Sequence, residues 1–220
     1  RKAPHTGVMM ALSPDQDAQL RKAYLRLTRD EEAAVRRLRP VIEAHVDDLV
    51  VAFYRHLLQF EETRRLLSDE LITQRLLAAQ RKYLLELVGG DYGPAYQAER
   101  LKIGQVHERI GLTPQWYLGA YSLYLELIIP LITNAFKGRP AELVTVYNSF
   151  MKVIFLDIGL AIEAYIRKSN EKLEFANRQL ASLSHDLEQD LNVKRHDLQL
   201  SKDQLRDTEK LAELGTLASG

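Results

Sequence analysis

An all-α fold is what this sequence predicts, and three observations lead there. Apolar residues recur at three- and four-residue spacing along most of the chain, while alternating apolar runs bounded by hairpin dipeptides are absent. Helix punctuation accompanies that periodicity: Ser or Thr ahead of Pro and acidic residues at the starts, Gly where a pattern ends. From Leu173 onward aromatics vanish after Phe175 and leucine takes up a heptad spacing.

The elements follow in order. Ser13-Pro14-Asp15 opens a first helix to about Leu27, and Thr28 or Asp30 caps a second through Leu38 before Pro40 restarts the chain. Between Val41 and Phe60 the residues Ile42, Leu49, Val50, Phe53, Tyr54, Leu57 and Leu58 form one apolar stripe, which places Tyr54 on a buried face. A helix from Ser68 or Asp69 to Val88 carries Leu71, Leu76, Leu77, Tyr83, Leu84 and Leu87, and ends at the Gly89–Pro94 loop. The next helix bears His107, with Ile103 four residues before it and Ile110 three after, so the imidazole projects from an apolar face. Neutral imidazole there can ligate a metal, although a satisfied core histidine shows the same pattern. Gly111 offers a left-handed cap, and Thr113-Pro114 starts another helix whose Trp116, Tyr117, Ala120, Tyr121, Tyr124, Leu127 and Ile128 repeat at helical spacing. Pro130 is expected to kink its end. The last pattern begins near Pro140 and passes Leu156, Ile158, Leu160, Ile162 and Tyr165 without a stop signal.

That helix runs into a coiled-coil seam at Leu173, Leu180 and Leu187, with Ala176 and Leu183 between them. The seam resumes in another frame at Leu191, Leu198, Leu205 and Ala212, so the step from Leu187 to Leu191 is a four-residue stutter. A homodimer through the seam is expected, because leucines left exposed over several heptads demand a partner.

Composition excludes several classes of function. The 220 residues, 46% of them hydrophobic, suffice for one domain plus an appendage. Lys plus Arg equals Asp plus Glu, 30 against 30, so no global field points to nucleic acid or an anionic membrane as partner. The absence of cysteine removes disulfides, thiolate metal sites and thiol nucleophiles, leaving His, Asp or Glu to hold any metal. The apolar run Tyr117–Phe136 is broken by Ser122, Glu126, Pro130, Thr133 and Asn134 and falls short of a membrane span. Residues 1–11 lack the apolar core of a signal peptide and read as a disordered arm or cloning remnant; a cytoplasmic location is expected.

No Walker loop, dinucleotide fingerprint, zinc-protease helix or nucleophile elbow occurs. Two candidates for chemistry remain: a metal or cofactor pocket around His107 and Tyr54, and a phosphoacceptor at His185 or His196. Ser184-His185-Asp186-Leu187 looks locally like the phosphoacceptor box of histidine kinases, but it lacks the downstream proline and is taken as coincidence. His45, beside Asp47 and Asp48, and His56, after Arg55, read as boundary and solvent positions rather than ligands.

Four segments together carry a family resemblance: Leu38-Arg39-Pro40 through Phe53-Tyr54, Arg81 to Leu87, Arg100-Leu101-Lys102-Ile103-Gly104 with His107, and Gly111-Leu112 through Trp116 to Tyr121. Over about residues 12–168 the chain resembles the globin-coupled sensors, bacterial heme proteins whose globin-fold sensor dimerises ahead of an output domain. The resemblance implies heme b, with His107 as proximal iron ligand through Nε2, Tyr54 as distal residue, and Phe53, Leu76 or Leu77, Trp116 and Tyr117 as pocket wall. Some members carry a threonine shortly after the distal leucine; here Ala78-Ala79-Gln80 stands there, which leaves Tyr54 as the main distal donor. Arg81, Lys82 and Lys102 are bases near enough to be considered for the propionates.

Physically, a ferrous iron with one imidazole and an open face binds O2, CO or NO, and a tyrosine hydroxyl favours O2 because that ligand carries partial negative charge. Lys210 to Gly220 resembles the entry to the dimerisation helix of sensor histidine kinases, whose phosphorylated histidine would follow beyond Gly220. The expected layout is therefore a globin-like heme sensor over 12–168, a dimeric coiled-coil linker over 169–209 and the start of a kinase dimerisation helix over 210–220, with the homodimer expected to form through the last two globin helices, Thr113 to Phe136 and Pro140 onward, as a four-helix interface that continues into the coiled coil. The expected function is gas sensing, O2 first, that regulates a histidine kinase and through it a response regulator, with no catalysis in this chain itself. The alternatives are a heme-free globin-fold dimerisation module, a heme sensor with a different output domain, and an enzyme that turns over nitric oxide or oxygen; the last lacks a reductase segment and a distal acid–base pair.

Overall fold

The computed structural model describes residues 12–67 and 70–218, and every regular element among them is helical. The arm expected over 1–11 and the helix starts expected at Ser68 and Asp69 lie outside the described residues.

Local chemistry sets the first two helices. A capping box between Ser13 and Gln16 opens α1 (Pro14–Tyr24), and another between Thr28 and Glu31 opens α2 (Arg29–Arg36). Periodicity alone carries α1 to about Leu27, but Arg26 adopts a left-handed φ of 53° and the Leu27 N–H turns back to the Lys22 carbonyl at 2.9 Å. Proline in the first turn starts α3 (Arg39–Leu57), α6 (Pro94–Arg109) and α7 (Pro114–Ala135). Between α3 and α5 (Glu70–Leu87) the chain forms α4 (Glu61–Arg64) and a single 3-10 turn (Arg65–Leu67), both too short to show in periodicity. The Thr63 hydroxyl ties this segment back to α3 through the carbonyls of Leu57 and Phe60.

Pro130 lies inside α7, which continues to Ala135. By length and composition α7 would suffice to cross a bilayer, yet Tyr117, Tyr121, Tyr124, Ile128 and Ile132 are buried in the core and the helix packs on α3. The final element, α8, spans Pro140–Ala218. The chain divides into two compact units at Lys168 and Ser169. In the first, α8 sends Val146, Phe150, Val153, Ile154 and Leu160 into the core with at most 1% exposure. In the second, the seam residues Leu173, Leu180, Leu187, Leu191, Leu198 and Leu205 stand exposed on the single chain.

Around α3, α5 and α7 the core is mostly apolar, and it encloses a buried ion pair. Arg100 of α6 and Asp157 of α8 are 2% and 0% exposed, with Arg100 Nε 3.3 Å from Asp157 Oδ2. The guanidinium lies 4.2 Å and 4.4 Å from the ring centres of Tyr83 and Tyr96, which sandwich it by cation–π contact. Tyr83 and Tyr96 also donate their hydroxyls to Asp157, at 2.8 and 2.5 Å. Burial pushes the Asp157 carboxyl above its ordinary range, opposed by Arg100 and by these two hydroxyls. A permanently charged arginine in that spot requires a countercharge, so Asp157 is the carboxylate partner.

Close by, α6 crosses α8 at Gly104. A Cβ there would meet Ala164 Cβ at 2.8 Å and the Ala161 backbone at 3.0 Å.

Two outcomes follow for denaturant unfolding. Gly104→Ala overpacks the α6–α8 crossing and lowers stability by about 1–3 kcal/mol, seen as a lower midpoint at unchanged slope. Arg100→Met strands a buried carboxylate and costs about 3–5 kcal/mol, whereas Arg100→Met combined with Asp157→Leu recovers most of that loss.

A candidate cofactor cavity lined by His107 and Tyr54

A cavity of about 380 Å³ opens between α3, α5, α6 and α7, of a size suited to a bound small molecule. His107, Tyr54, Phe53, Leu76, Trp116 and Tyr117 all line it. Leu77 does not; it packs against the hydrophobic core instead. His45 and His56 are exposed and stand outside the lining.

His107 sits in the last turn of α6, and the end of that helix is built to hold it. Gly111 takes φ 80°, its N–H reaching the Glu108 carbonyl at 3.0 Å, and the Leu112 N–H reaches the His107 carbonyl at 3.0 Å. These two bonds make the Schellman arrangement that glycine allows at this position. The side chain is fixed separately: Nδ1 lies 2.9 Å from the Ile103 carbonyl. A carbonyl only accepts, so Nδ1 carries the proton and Nε2 keeps a free lone pair. Burial lowers the pKa of the imidazole, with the Ile103 hydrogen bond opposing, and His107 is neutral at pH 7. It is therefore a nitrogen base with one committed N–H and one open coordination site.

Tyr54 is 7% exposed, and burial raises its pKa to about 12, so the phenol keeps its proton at neutral pH. Among the described residues its hydroxyl has no hydrogen-bond partner. Phe53 meets the Tyr54 ring edge-on at 5.4 Å and stacks flat on Tyr124 at 4.4 Å, which locks this wall. Trp116 contacts Phe60 at 5.5 Å, and Tyr117 stands edge-on to the His107 ring at 5.1 Å.

Several polar residues of the lining, Thr63, Gln80, Glu99 and Tyr124, are not marked as site residues by the sequence. Gln80 and Tyr124 both border the cavity and bond to each other, the amide donating to the phenol oxygen. The signal for Gln80 was present, since it follows Leu76 by four residues on the same helix face. Its pairing with Tyr124, 44 residues on, was not legible without the fold. Of the three bases considered for an anionic cofactor edge, Lys102 borders the cavity. Arg81 faces Asp47 at 3.5 Å, and Lys82 lies 3.4 Å from Glu86 and 3.8 Å from Glu99.

Among the described residues no group of three His, Asp or Glu side chains could hold a bare metal ion. One neutral imidazole at a roomy apolar cavity suits a cofactor that brings most of its metal's ligands with it. The unpartnered Tyr54 hydroxyl supplies a donor for a small ligand, and Lys102 a cation at the rim.

Comparison with known proteins identifies the family and the fold. The chain is 33% identical over 162 residues to the heme-based aerotactic transducer HemAT of Halobacterium salinarum, an alignment that covers 70% of this chain and 33% of the relative. It thus spans about a third of that relative's length. The fold superimposes on the globin domain of the Geobacter sulfurreducens globin-coupled sensor with a TM-score of 0.64 at 25% identity, covering 67% of this chain and 96% of the other. The ferrous globin domain of E. coli DosC matches with a TM-score of 0.53 at 18% identity, covering 68% and 99%, which speaks to fold alone. The architecture is a globin fold, and residues 15–171 match the protoglobin family. With that match extending over most of its length, this chain belongs to the protoglobin family.

Proposed function

We propose that this chain is the sensor region of a heme-based gas sensor, with O2 as the preferred ligand. One observation carries the proposal: the free Nε2 of a neutral His107 and the unpartnered hydroxyl of Tyr54 line one apolar cavity. Heme b, when bound, supplies an iron with one face open to a diatomic gas. The side chains do the rest. His107 would hold the metal through Nε2, with its Nδ1–H on the Ile103 carbonyl fixing the ring plane. Phe53, Leu76, Trp116 and Tyr117 exclude water from the apolar faces. Tyr54 donates to the gas, and the Gln80–Tyr124 pair places a second polar group in the same lining. Lys102, which borders the cavity, would meet a propionate. Leu77 packs against the hydrophobic core and is not part of this wall.

The output is proposed in two forms. The kinase-like segment Lys210–Gly220 supports a histidine kinase that signals to a response regulator through a dimeric helical linker. The relative named as an aerotactic transducer supports a chemotaxis-type output on the same kind of sensor. Autophosphorylation of the longer protein with ferric, ferrous and O2-exposed heme separates them: phosphorylation that depends on heme state establishes the kinase, and its absence in every state favours the transducer.

Two substitutions test the site. His107→Ala leaves the cavity without its metal ligand and is expected to abolish the Soret band of a histidine-ligated heme after reconstitution; a variant that retains that band removes the assignment of His107. Tyr54→Phe deletes a hydrogen bond to a partly charged acceptor worth about 1.5–3 kcal/mol, so O2 dissociation should accelerate roughly tenfold to a hundredfold. CO dissociation, measured by flow kinetics on the same samples, should change far less.

A further inference from the structure

Beside the cavity lies a chain of buried hydroxyls that gas binding does not itself require. Tyr117 Oη is 3.1 Å from Tyr121 Oη, Tyr121 Oη is 2.9 Å from Tyr83 Oη, and Tyr83 Oη is 2.8 Å from Asp157 Oδ2. The members come from α7, α5 and α8, and Tyr117 lines the cavity against His107. The three tyrosines are buried and Asp157 is fully so.

The direction of this chain is set by counting protons. Each phenol owns one proton, and its oxygen also accepts. A carboxylate only accepts, and the adjacent Arg100 keeps Asp157 ionised. Tyr83 must therefore spend its proton on Asp157, which leaves its oxygen free to accept from Tyr121. Tyr121 then spends its own proton on Tyr83 and accepts from Tyr117. With Tyr117 donating to Tyr121, its hydroxyl has no proton left for the cavity.

We infer that Asp157 is a positioning residue for the cofactor site: through Tyr83 and Tyr121 it fixes Tyr117 as a donor directed away from the cavity, so that Tyr117 presents only oxygen lone pairs beside His107. This restricts which lining hydroxyl meets the gas. Tyr54 is free to donate; Tyr117 is not. It also makes the hydroxyl state of the pocket wall a property of α8, on which Asp157 sits. The alternating donor–acceptor order strengthens each bond by polarisation, which favours one order for the entire chain over a mixture.

The inference rests on the heme-sensor proposal for its functional meaning, but the proton order is readable without heme chemistry. Ultraviolet resonance Raman bands of tyrosine distinguish a donating from an accepting hydroxyl, and they are measured on the whole chain as purified. Subtracting the spectrum of Tyr117→Phe isolates Tyr117. The expected result is a pure donor signature for Tyr117 in the native chain. That signature should be lost in Tyr83→Phe, which cuts the chain of hydroxyls but spares the ion pair, and in Asp157→Leu/Arg100→Met, which replaces the pair by apolar residues. An accepting Tyr117 in the native chain, or an unchanged Tyr117 signature in both variants, overturns the inference.

A second measurement reads the consequence at the site. The iron–histidine stretching band of the ferrous, heme-loaded chain should shift in Tyr83→Phe, and the same substitution should have no effect in a Tyr117→Phe background. An equal shift in both backgrounds marks Tyr83 as merely structural and overturns the inference. A chain without any iron–histidine band refutes the heme-sensor proposal, and the tyrosine spectra still decide the proton order.

Discussion

The ion pair between Arg100 and Asp157 is the interaction on which the rest of this fold turns. It joins α6 to α8, and its surroundings draw in α5 through Tyr83 and Glu86, the latter 3.4 Å from Arg100 Nη1. Hydrophobic burial alone does not select such an arrangement, because an apolar pair of similar volume stabilises a core as well or better. The pair does something leucine cannot: it orients. A guanidinium is a planar fork, here wedged between the Tyr83 and Tyr96 rings, and the carboxylate accepts from both hydroxyls. These contacts constrain the relative rotation of α5, α6 and α8 about their contact, since settings that break them strand a charge in the core. The side of the cavity made by α6 inherits that rigidity.

How far this was legible in the sequence depends on how local each feature is. His107 could be found because its determinants are neighbours: Ile103 one turn back places it on an apolar face, and Gly111 announces the end of its helix. The same positions then reappear as physical partners, Ile103 as acceptor for Nδ1 and Gly111 as the left-handed cap. Tyr54 was legible as part of a stripe, although nothing local told which buried tyrosine would be left without a hydrogen bond. α4 and its 3-10 turn escaped notice because one turn of helix carries no period.

The polar interior was not legible for a different reason. Arg100 and Asp157 are separated in the chain by the whole of α7, and each looks in isolation like a residue of a solvated face. Tyr83, Tyr121 and Tyr124 read correctly as core positions, since their rings fill space as any aromatic does. That the hydroxyls of Tyr117, Tyr121 and Tyr83 form a chain to Asp157 depends on registers between helices, which the spacing along one helix does not encode. The division between Leu76 and Leu77 has the same origin: consecutive residues point about 100° apart, and only the placement of α5 decides which one meets the cavity.

Two separate ties link the surroundings of His107 to α8. Tyr117, in ring contact with His107, connects through Tyr121 and Tyr83 to Asp157. The Leu112 carbonyl, in the turn that caps the His107 helix, accepts from the Tyr165 hydroxyl at 2.8 Å. Asp157 and Tyr165 are eight residues apart, about two helical turns, and both belong to the buried part of α8. A loop after a ligand-bearing helix would ordinarily absorb small movements of that helix. Here the loop is short, its glycine is committed to the cap, and its next carbonyl is held by α8. Close packing at Gly104 blocks the remaining escape, a slide of α6 along α8. Displacement of His107 along the direction of its open Nε2 is therefore not confined to α6; it loads α8 at two heights on one helix, a geometry suited to turning a small pull into a rotation or tilt of that helix instead of a local distortion.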